Sequence, residues 1–116
     1  MADYPTKLLF ICSRNKIRSL TAEKLLAGVP GYRVASAGTQ PGARVVVTAG
    51  LLRWADLIFC MEKAHLQKLR ERFPDDLAGQ RLVTLHIPDE FQFMAEDLIE
   101  ELRAKLAEHL ELPGGF

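Results

Sequence analysis

A cysteine and an arginine whose types and spacing suit covalent chemistry lie near the start of the chain, in the segment Cys12–Ser19 (CSRNKIRS). Arg18 follows Cys12 by six positions. A cysteine thiolate is a strong nucleophile, and the planar guanidinium of arginine can hold an oxyanion through two parallel hydrogen bonds. This pair therefore indicates nucleophilic attack on an anionic group, such as a phosphoryl group. The alternative interpretation of Cys12 is a buried structural cysteine.

The five residues between Cys12 and Arg18 predict a loop that binds anions. Between a strand and a helix, such a loop can turn successive backbone N–H groups toward one point, which the positive end of the helix also faces. Cys12 then lies at the base of this nest, where its thiolate is stabilised. Ser19 either donates its hydroxyl to the thiolate or caps the helix. The predicted phosphate-binding residues are Ser13, Arg14, Asn15, Lys16, Ile17 and Arg18.

The segments around this loop predict a sheet with helices on both faces. The short apolar run Lys7–Cys12 is typical of a strand buried on both sides, and the pattern becomes helical from Arg18 to Ala27. Further strands are predicted at Tyr32–Ser36, Asp56–Met61 and Arg81–Leu85, and further helices at Ala43–Trp54, Lys63–Arg72 and Ala95–Leu110. This alternation predicts a three-layer α/β/α fold with a four-stranded parallel sheet, in which ligands bind at the carboxyl ends of the strands.

Length and composition argue against several classes of protein. With 116 residues, 48% of them hydrophobic, the chain is predicted to form one domain over residues 1–116. The 15 basic and 15 acidic residues give a net charge of zero, which argues against a nucleic-acid or membrane-surface partner. The sequence shows no secretory signal and no apolar run that could span a bilayer. Two cysteines and three scattered histidines predict neither a disulfide scaffold nor a metal site, so we expect a cytoplasmic location. We also expect no cofactor and a monomeric or weakly dimeric state.

The segment Cys12–Ser19 resembles the phosphate-binding loop of the low-molecular-weight protein tyrosine phosphatase superfamily, including the asparagine three positions after the cysteine. The resemblance is closest to the short bacterial branch of predicted tyrosine phosphatases, and it continues through Thr21–Glu23, Ser36–Thr39 and Ala55–Glu62. It implies a phosphomonoester hydrolase that forms a phosphocysteine on Cys12 and acts on a phosphotyrosine protein or a small aryl phosphate. It also implies that Asn15 and Ser36 hold the loop in shape.

The resemblance further implies a general acid. The family places an aspartate on a late loop, followed by proline and an aromatic residue, and the matching segment here is Ile87–Phe91. Asp89 is therefore the predicted acid, which protonates the leaving group and later activates water. Glu90 replaces the usual proline, so Glu90 and Asp97 remain alternative proton donors. Phe91 is predicted to form an aromatic wall of the substrate pocket or to belong to the core.

A redox hypothesis and two alternative functions accompany this interpretation. Ile17 stands where many relatives carry a second cysteine. Cys60 lies late in a strand that neighbours the first one in this family, so it is a candidate to trap oxidised Cys12 as a disulfide. An arsenate reductase of the same fold would need further cysteines, and none follows Met61. A non-enzymatic module that binds phosphate or phosphoproteins is favoured by Glu90 and disfavoured by the retained Cys12.

Overall fold

The computed structural model describes residues 4–114 as alternating strands and helices. Residues 1–3 and 115–116 lie outside the described residues; they include both ends of the predicted domain and part of the segment in which no secretory signal is predicted. The strands are β1 (Thr6–Cys12), β2 (Tyr32–Gly38), β3 (Leu57–Cys60) and β4 (Arg81–Thr84). The helices are α1 (Arg18–Leu26), α2 (Ala49–Trp54), α3 (Lys63–Arg72), α4 (Pro74–Leu77) and α5 (Glu96–Leu106).

The four strands form one parallel sheet in the order β2-β1-β3-β4. Helices α1 and α5 pack on one face, and α2, α3 and α4 pack on the other. The prediction of a three-layer α/β/α fold with a four-stranded parallel sheet is thus confirmed. Because the strands are parallel, the segments that follow β1, β3 and β4 all leave the sheet at the same edge.

Strand β1 sends alternate side chains to opposite faces of the sheet, as the period of a strand requires. Phe10 and Cys12 belong to the core cluster under α1 and α5, whereas Leu9 and Ile11 belong to the cluster under the other three helices. Phe10 stacks on Phe59 of β3, with the ring centroids 5.2 Å apart. Both clusters hold β1 in place, so the direction of the Cys12 side chain is fixed by packing on two faces.

The second predicted helix begins at Ala49 rather than at Ala43, and the prediction is wrong over residues 43–48. That stretch instead follows the end of β2, where the Val47 N–H donates to the carbonyl of Gly38 at 3.0 Å. The three valines at positions 45–47 are β-branched and favour extended backbone, which explains the difference. Thr48 starts α2, because its hydroxyl accepts a hydrogen bond from the first turn.

Two other helical segments also differ from the predictions. The short helix α4 was not predicted; Pro74 opens it, because the first helical position needs no backbone N–H donor. Helix α5 ends at Leu106 rather than at Leu110. Neither difference moves an element away from the edge of the sheet where the loop lies.

Gly38 allows the loop after β1 to lie directly on the end of β2. A Cβ atom at this position would lie 2.5 Å from the backbone oxygen of Ser13 and 2.7 Å from the Cβ of Ala43. Real side chains do not tolerate such distances, and the backbone atom of Ser13 cannot rotate away. A residue without a side chain is therefore needed where the loop crosses β2.

We expect Gly38→Ala to lower the free energy of unfolding by about 1–3 kcal/mol, because the added methyl group overpacks the contact with the loop. Gly42→Ala is the matched control, since a Cβ there would meet no heavy atom within 4 Å. Urea denaturation of both variants beside the wild type measures the difference. Equal stability of the two variants would show that the loop does not depend on the missing side chain at position 38.

Candidate active site

An open cavity of about 120 Å³ lies at the carboxyl end of β1. It is lined by Cys12, Ser13, Arg14, Lys16, Ile17, Arg18 and Asp89. The structure therefore brings the predicted nucleophile, the predicted arginine and the predicted acid to one place. Arg14 and Lys16 are exposed, and they make the mouth of the cavity positive, which suits an anionic ligand.

The sulfur of Cys12 is held at the base of the cavity by two hydrogen-bond partners. The backbone N–H of Asn15 donates to Sγ at 3.2 Å, and Ser19 Oγ lies 2.9 Å from Sγ. Asn15 Nδ2 donates to Ser19 Oγ at 2.8 Å, which leaves the Ser19 hydroxyl proton to point at the sulfur. Of the two roles open to Ser19, donation to the sulfur is favoured, because no side chain caps the N-terminus of α1. Two donors therefore hold the sulfur at the base of the cavity.

Asn15 joins the loop to two neighbouring elements. Its φ angle of 57° lies in the left-handed region that asparagine tolerates. Its buried side-chain amide donates to Ser19 Oγ of α1 and, at 2.7 Å, to Ser36 Oγ of β2. Ser36 Oγ in turn donates to Glu23 Oε1 of α1 at 2.6 Å. Asn15 and Ser36 therefore lie in one hydrogen-bond network that ties the loop to β2 and α1.

Arg18 is buried, and its charge is matched by groups that follow β3 and β4. Its Nη1 forms an ion pair with the Glu62 carboxylate and donates to the carbonyl of Ile87 at 2.9 Å. Its Nε lies 3.8 Å from Asp89 Oδ1. A buried guanidinium without such partners would be strongly destabilising. Glu62 and Ile87 were not singled out from the sequence, although each lies shortly after a strand that ends at the same edge of the parallel sheet as β1, which is a signal that points to them.

Of the three candidate proton donors, Asp89 alone lines the cavity of Cys12. Its side chain is 65% exposed, so it can exchange protons with water. Glu90 and Asp97 lie instead at a separate surface depression beside α5. Asp97 also accepts a hydrogen bond from the backbone of its own helix, at Leu98. The geometry therefore favours Asp89 over both alternatives.

Phe91 does not line the cavity of Cys12. It is partly buried against the core cluster under α1 and α5, and its remaining surface faces the depression shared with Glu90 and Asp97. The alternative prediction, that Phe91 belongs to the core, agrees with these contacts, and its role as an aromatic wall of the substrate pocket stays a prediction. A phenyl ring gains more by covering apolar core surface than by standing in water at the cavity rim, which explains the contacts.

Cys60 faces the opposite side of the sheet from Cys12. It pairs with Ile11 in the register of β1 and β3, and both belong to the cluster under α2, α3 and α4. Cys12 is the next residue along β1, so its side chain points to the other face. Burial raises the pKa of the Cys60 thiol to about 12, despite the nearby positive charge of Arg70. The hypothesis that Cys60 traps oxidised Cys12 is therefore wrong for this fold.

His65 is a buried residue of the site that the sequence pattern did not reveal. It lies in the first turn of α3 and is 2% exposed. Its Nδ1 accepts a hydrogen bond from the backbone N–H of Glu62 at 3.0 Å, and its Nε2 lies 2.9 Å from Ser13 Oγ. Burial lowers the pKa of His65 to about 4, and the positive charge of Arg18 acts in the same direction. The imidazole is therefore neutral at pH 7.

We expect the free energy of unfolding to decrease as the pH falls from about 6.5 to about 4. In this window the unfolded chain protonates His65, whereas the folded chain keeps the ring neutral, so acid favours unfolding. Urea denaturation at several pH values should show a smaller decrease for His65→Gln, which cannot titrate. His86→Asn is the control, because His86 is exposed and asparagine tolerates its positive φ angle. An unchanged pH slope in His65→Gln would contradict this assignment.

Within residues 4–114, no group of three or more histidine, cysteine, aspartate or glutamate side chains is arranged to hold a metal ion. No helix there is long and apolar enough to cross a membrane.

No protein-family model and no curated protein sequence matches this chain. Solved structures do match it. The tyrosine phosphatase Wzb from Escherichia coli K30, solved in complex with phosphate, is 23% identical, with 93% of this chain and 100% of that chain covered and a TM-score of 0.74. The low molecular weight protein tyrosine phosphatase from T. tengcongensis is 20% identical, with 90% and 99% covered and a TM-score of 0.66.

A third similar structure is the YwlE arginine phosphatase from Geobacillus stearothermophilus. It is 24% identical, with 90% of this chain and 85% of that chain covered and a TM-score of 0.60. At these identities the similarity establishes a shared fold, and the three structures span nearly the whole of the present chain.

Proposed function

We propose that this protein is a phosphomonoester hydrolase that works through a phosphocysteine on Cys12. The observation that carries the proposal is the buried Cys12 sulfur, which receives hydrogen bonds from the Asn15 backbone and Ser19 at the base of a cavity that Arg18 and Asp89 also line. A binding site for phosphate needs no such nucleophile. The substrate we propose is phosphotyrosine in a protein or a small aryl phosphate, in line with the tyrosine phosphatases that share the fold.

In the first step, the thiolate of Cys12 attacks the phosphorus atom. The sulfur–phosphorus bond forms while the bond from phosphorus to the ester oxygen breaks. Backbone N–H groups of the loop after Cys12, other than that of Asn15, and the Arg18 guanidinium hold the three remaining oxygens, where negative charge develops in the transition state. Asp89, in its protonated form, gives its proton to the departing oxygen, so the product leaves as a neutral alcohol or phenol.

In the second step, water attacks the phosphorus atom of the phosphocysteine. The carboxylate of Asp89 takes a proton from this water, and the sulfur–phosphorus bond breaks. The products are inorganic phosphate and the thiolate of Cys12, which Ser19 and the Asn15 N–H stabilise again. A YwlE arginine phosphatase mutant that shares the fold carries a phosphorylated active-site serine. This supports a phosphorylated side chain at Cys12.

The alternatives meet specific objections. Arsenate reduction would need a second thiol close to Cys12, and Cys60, the other free cysteine, lies across the sheet. A non-enzymatic binding module would leave the hydrogen bonds to the Cys12 sulfur without a purpose.

Phosphoarginine is a second candidate substrate, because an arginine phosphatase shares the fold. With this substrate the first step would break a phosphorus–nitrogen bond in place of the ester bond, and the proton would go to the departing nitrogen. A cytoplasmic location agrees with the two free thiols. A monomeric or weakly dimeric state stays a prediction.

The first test is hydrolysis of p-nitrophenyl phosphate between about pH 5 and pH 8, where general acid and base groups operate. We expect turnover by the wild type and a loss of at least about 10³-fold in Cys12→Ser, because the alcohol is a poor nucleophile here. The serine variant should still bind inorganic phosphate in calorimetry. Cys60→Ala is the control, since it removes the other thiol without touching the cavity. Phosphate binding by a wild type without turnover would instead establish the binding module.

Asp89→Asn should slow substrates with poor leaving groups, such as phenyl phosphate, by about 10²–10⁴-fold. The effect on p-nitrophenyl phosphate should be much smaller, because p-nitrophenolate departs without a proton. The kcat of each variant with the two substrates gives this ratio. Glu90→Gln is the matched control, because it neutralises the adjacent carboxylate outside the cavity. Equal slowing of both substrates by Asp89→Asn, or a larger selective effect of Glu90→Gln, would move the acid role elsewhere.

A further inference from the structure

We propose that the Ser13 hydroxyl binds the phosphoryl group of the substrate and that His65 is the positioning residue that aims it into the cavity. The inference rests on the proposed function, since it assigns a further donor to the same site. Ser13 is half-buried and lines the cavity with Cys12 and Arg18. His65 lies in the first turn of α3 and contacts Ser13 Oγ through its Nε2.

The hydrogen bonds of His65 fix where its proton lies. The backbone N–H of Glu62 can only donate, so His65 Nδ1, 3.0 Å away, must accept and carries no proton. A neutral imidazole then carries its single proton on Nε2. Ser13 Oγ lies 2.9 Å from that nitrogen and is therefore the acceptor of an Nε2–H hydrogen bond.

This arrangement frees the proton of the Ser13 hydroxyl. A serine hydroxyl has one proton to donate and two lone pairs that accept, and His65 occupies one of the lone pairs. The hydroxyl proton cannot return to His65, which has no lone pair left to offer. The backbone carbonyl of Ser13 already accepts a hydrogen bond from Gln40 N–H at 3.0 Å, so the residue is anchored on a second side. Because Ser13 lines the cavity, a phosphoryl oxygen bound there would be an acceptor for this proton.

Burial is the main reason why the His65 ring stays neutral. The positive charges of Arg18 and Lys68 also disfavour a second proton, and with burial they outweigh the opposite influence of Glu62 and Asp89 on the pKa. A protonated ring would carry a second proton on Nδ1. This proton would point at the Glu62 N–H, and neither group could then accept a hydrogen bond from the other. The Nε2–H tautomer is consequently the one that persists at the pH of the proposed reaction.

A histidine that only stabilised the start of α3 would need its Nδ1 and nothing more. The contact from Nε2 to the loop is additional, and it joins the first turn of α3 to the residue directly after Cys12. The two roles predict different results. Loss of a helix cap lowers the free energy of unfolding. If His65 instead orients the Ser13 hydroxyl, its loss weakens phosphate binding only while Ser13 is present.

Calorimetric titration with inorganic phosphate tests the proposal on the wild type and five variants. Ser13→Ala should weaken phosphate binding by at least about tenfold, as expected for a hydrogen bond to a charged group, and Ser13→Thr should retain the affinity. His65→Leu should weaken binding several-fold, because the hydroxyl is then free to rotate. His65→Gln should stay close to the wild type, since its amide can still donate to Ser13. The double variant Ser13→Ala/His65→Leu should match Ser13→Ala alone.

His86→Asn is the control for removing a histidine outside the cavity, and it should bind phosphate like the wild type. Nitrogen NMR of the wild type reports the tautomer directly, and a proton on His65 Nδ1 would overturn the proposal even if His65→Leu failed to fold. Equal phosphate affinity in Ser13→Ala and wild type would also overturn it, as would additive losses in the double variant.

Failure of the inference is distinguishable from failure of the proposed function. A wild type that hydrolyses p-nitrophenyl phosphate but loses no phosphate affinity in Ser13→Ala would leave the phosphatase standing and remove this donor. A wild type without turnover, whose variants follow the expected order of phosphate affinity, would remove the phosphatase and support the donor. A wild type that binds no phosphate would overturn both.

Discussion

The burial of the Arg18 guanidinium is the constraint on which the site depends. A buried positive charge is tolerated only when hydrogen-bonding partners surround it, and here Glu62 and Ile87 supply them. These partners follow β3 and β4, so the loop after β1 is held only if all three strands end at the same edge. A parallel sheet with β1 next to β3 satisfies this condition. The burial of Arg18 thus depends on the order of the strands, which brings its partners to it.

On the other side of the loop, Asn15 holds the loop in place through uncharged hydrogen bonds. Its side chain reaches Ser36 of β2 and Ser19 of α1, while its backbone N–H points at the Cys12 sulfur. The loop is therefore fixed from both neighbours of β1 before any ligand binds. Donors that are already in place need not reorganise when charge develops during a reaction, and such preorganisation is a large part of enzymatic rate enhancement.

The parts of the site that the sequence predicted are local ones. The strand, the loop and the start of α1 are continuous in sequence, so Cys12 and Arg18 could be placed near each other without knowledge of the fold. The contacts of Glu62 and His65 cross from another element, and a single sequence does not reveal the register that brings them in. The face on which Cys60 lies follows from the strand pairing. Alternation along β1 puts Ile11 and Cys12 on opposite faces, and the pairing of Cys60 with Ile11 then places Cys60 on the face away from Cys12. The position of Phe91 depended on a competition between core and cavity that only packing decides.

Glu62 contacts both Arg18 and His65, which lie on two sides of the proposed phosphate site. Its carboxylate pairs with Arg18, and its backbone N–H donates to His65 Nδ1. The first contact fixes the guanidinium, and the second selects the tautomer that leaves the Ser13 proton free. Because both contacts start from the residue just before α3, a displacement of this helix would disturb the cation and the neutral donor together. Substitution of the Glu62 side chain would remove the contact with Arg18 and the capping contact of its carboxylate with the His65 backbone. It would keep the hydrogen bond to His65 Nδ1, since any residue except proline keeps the backbone donor.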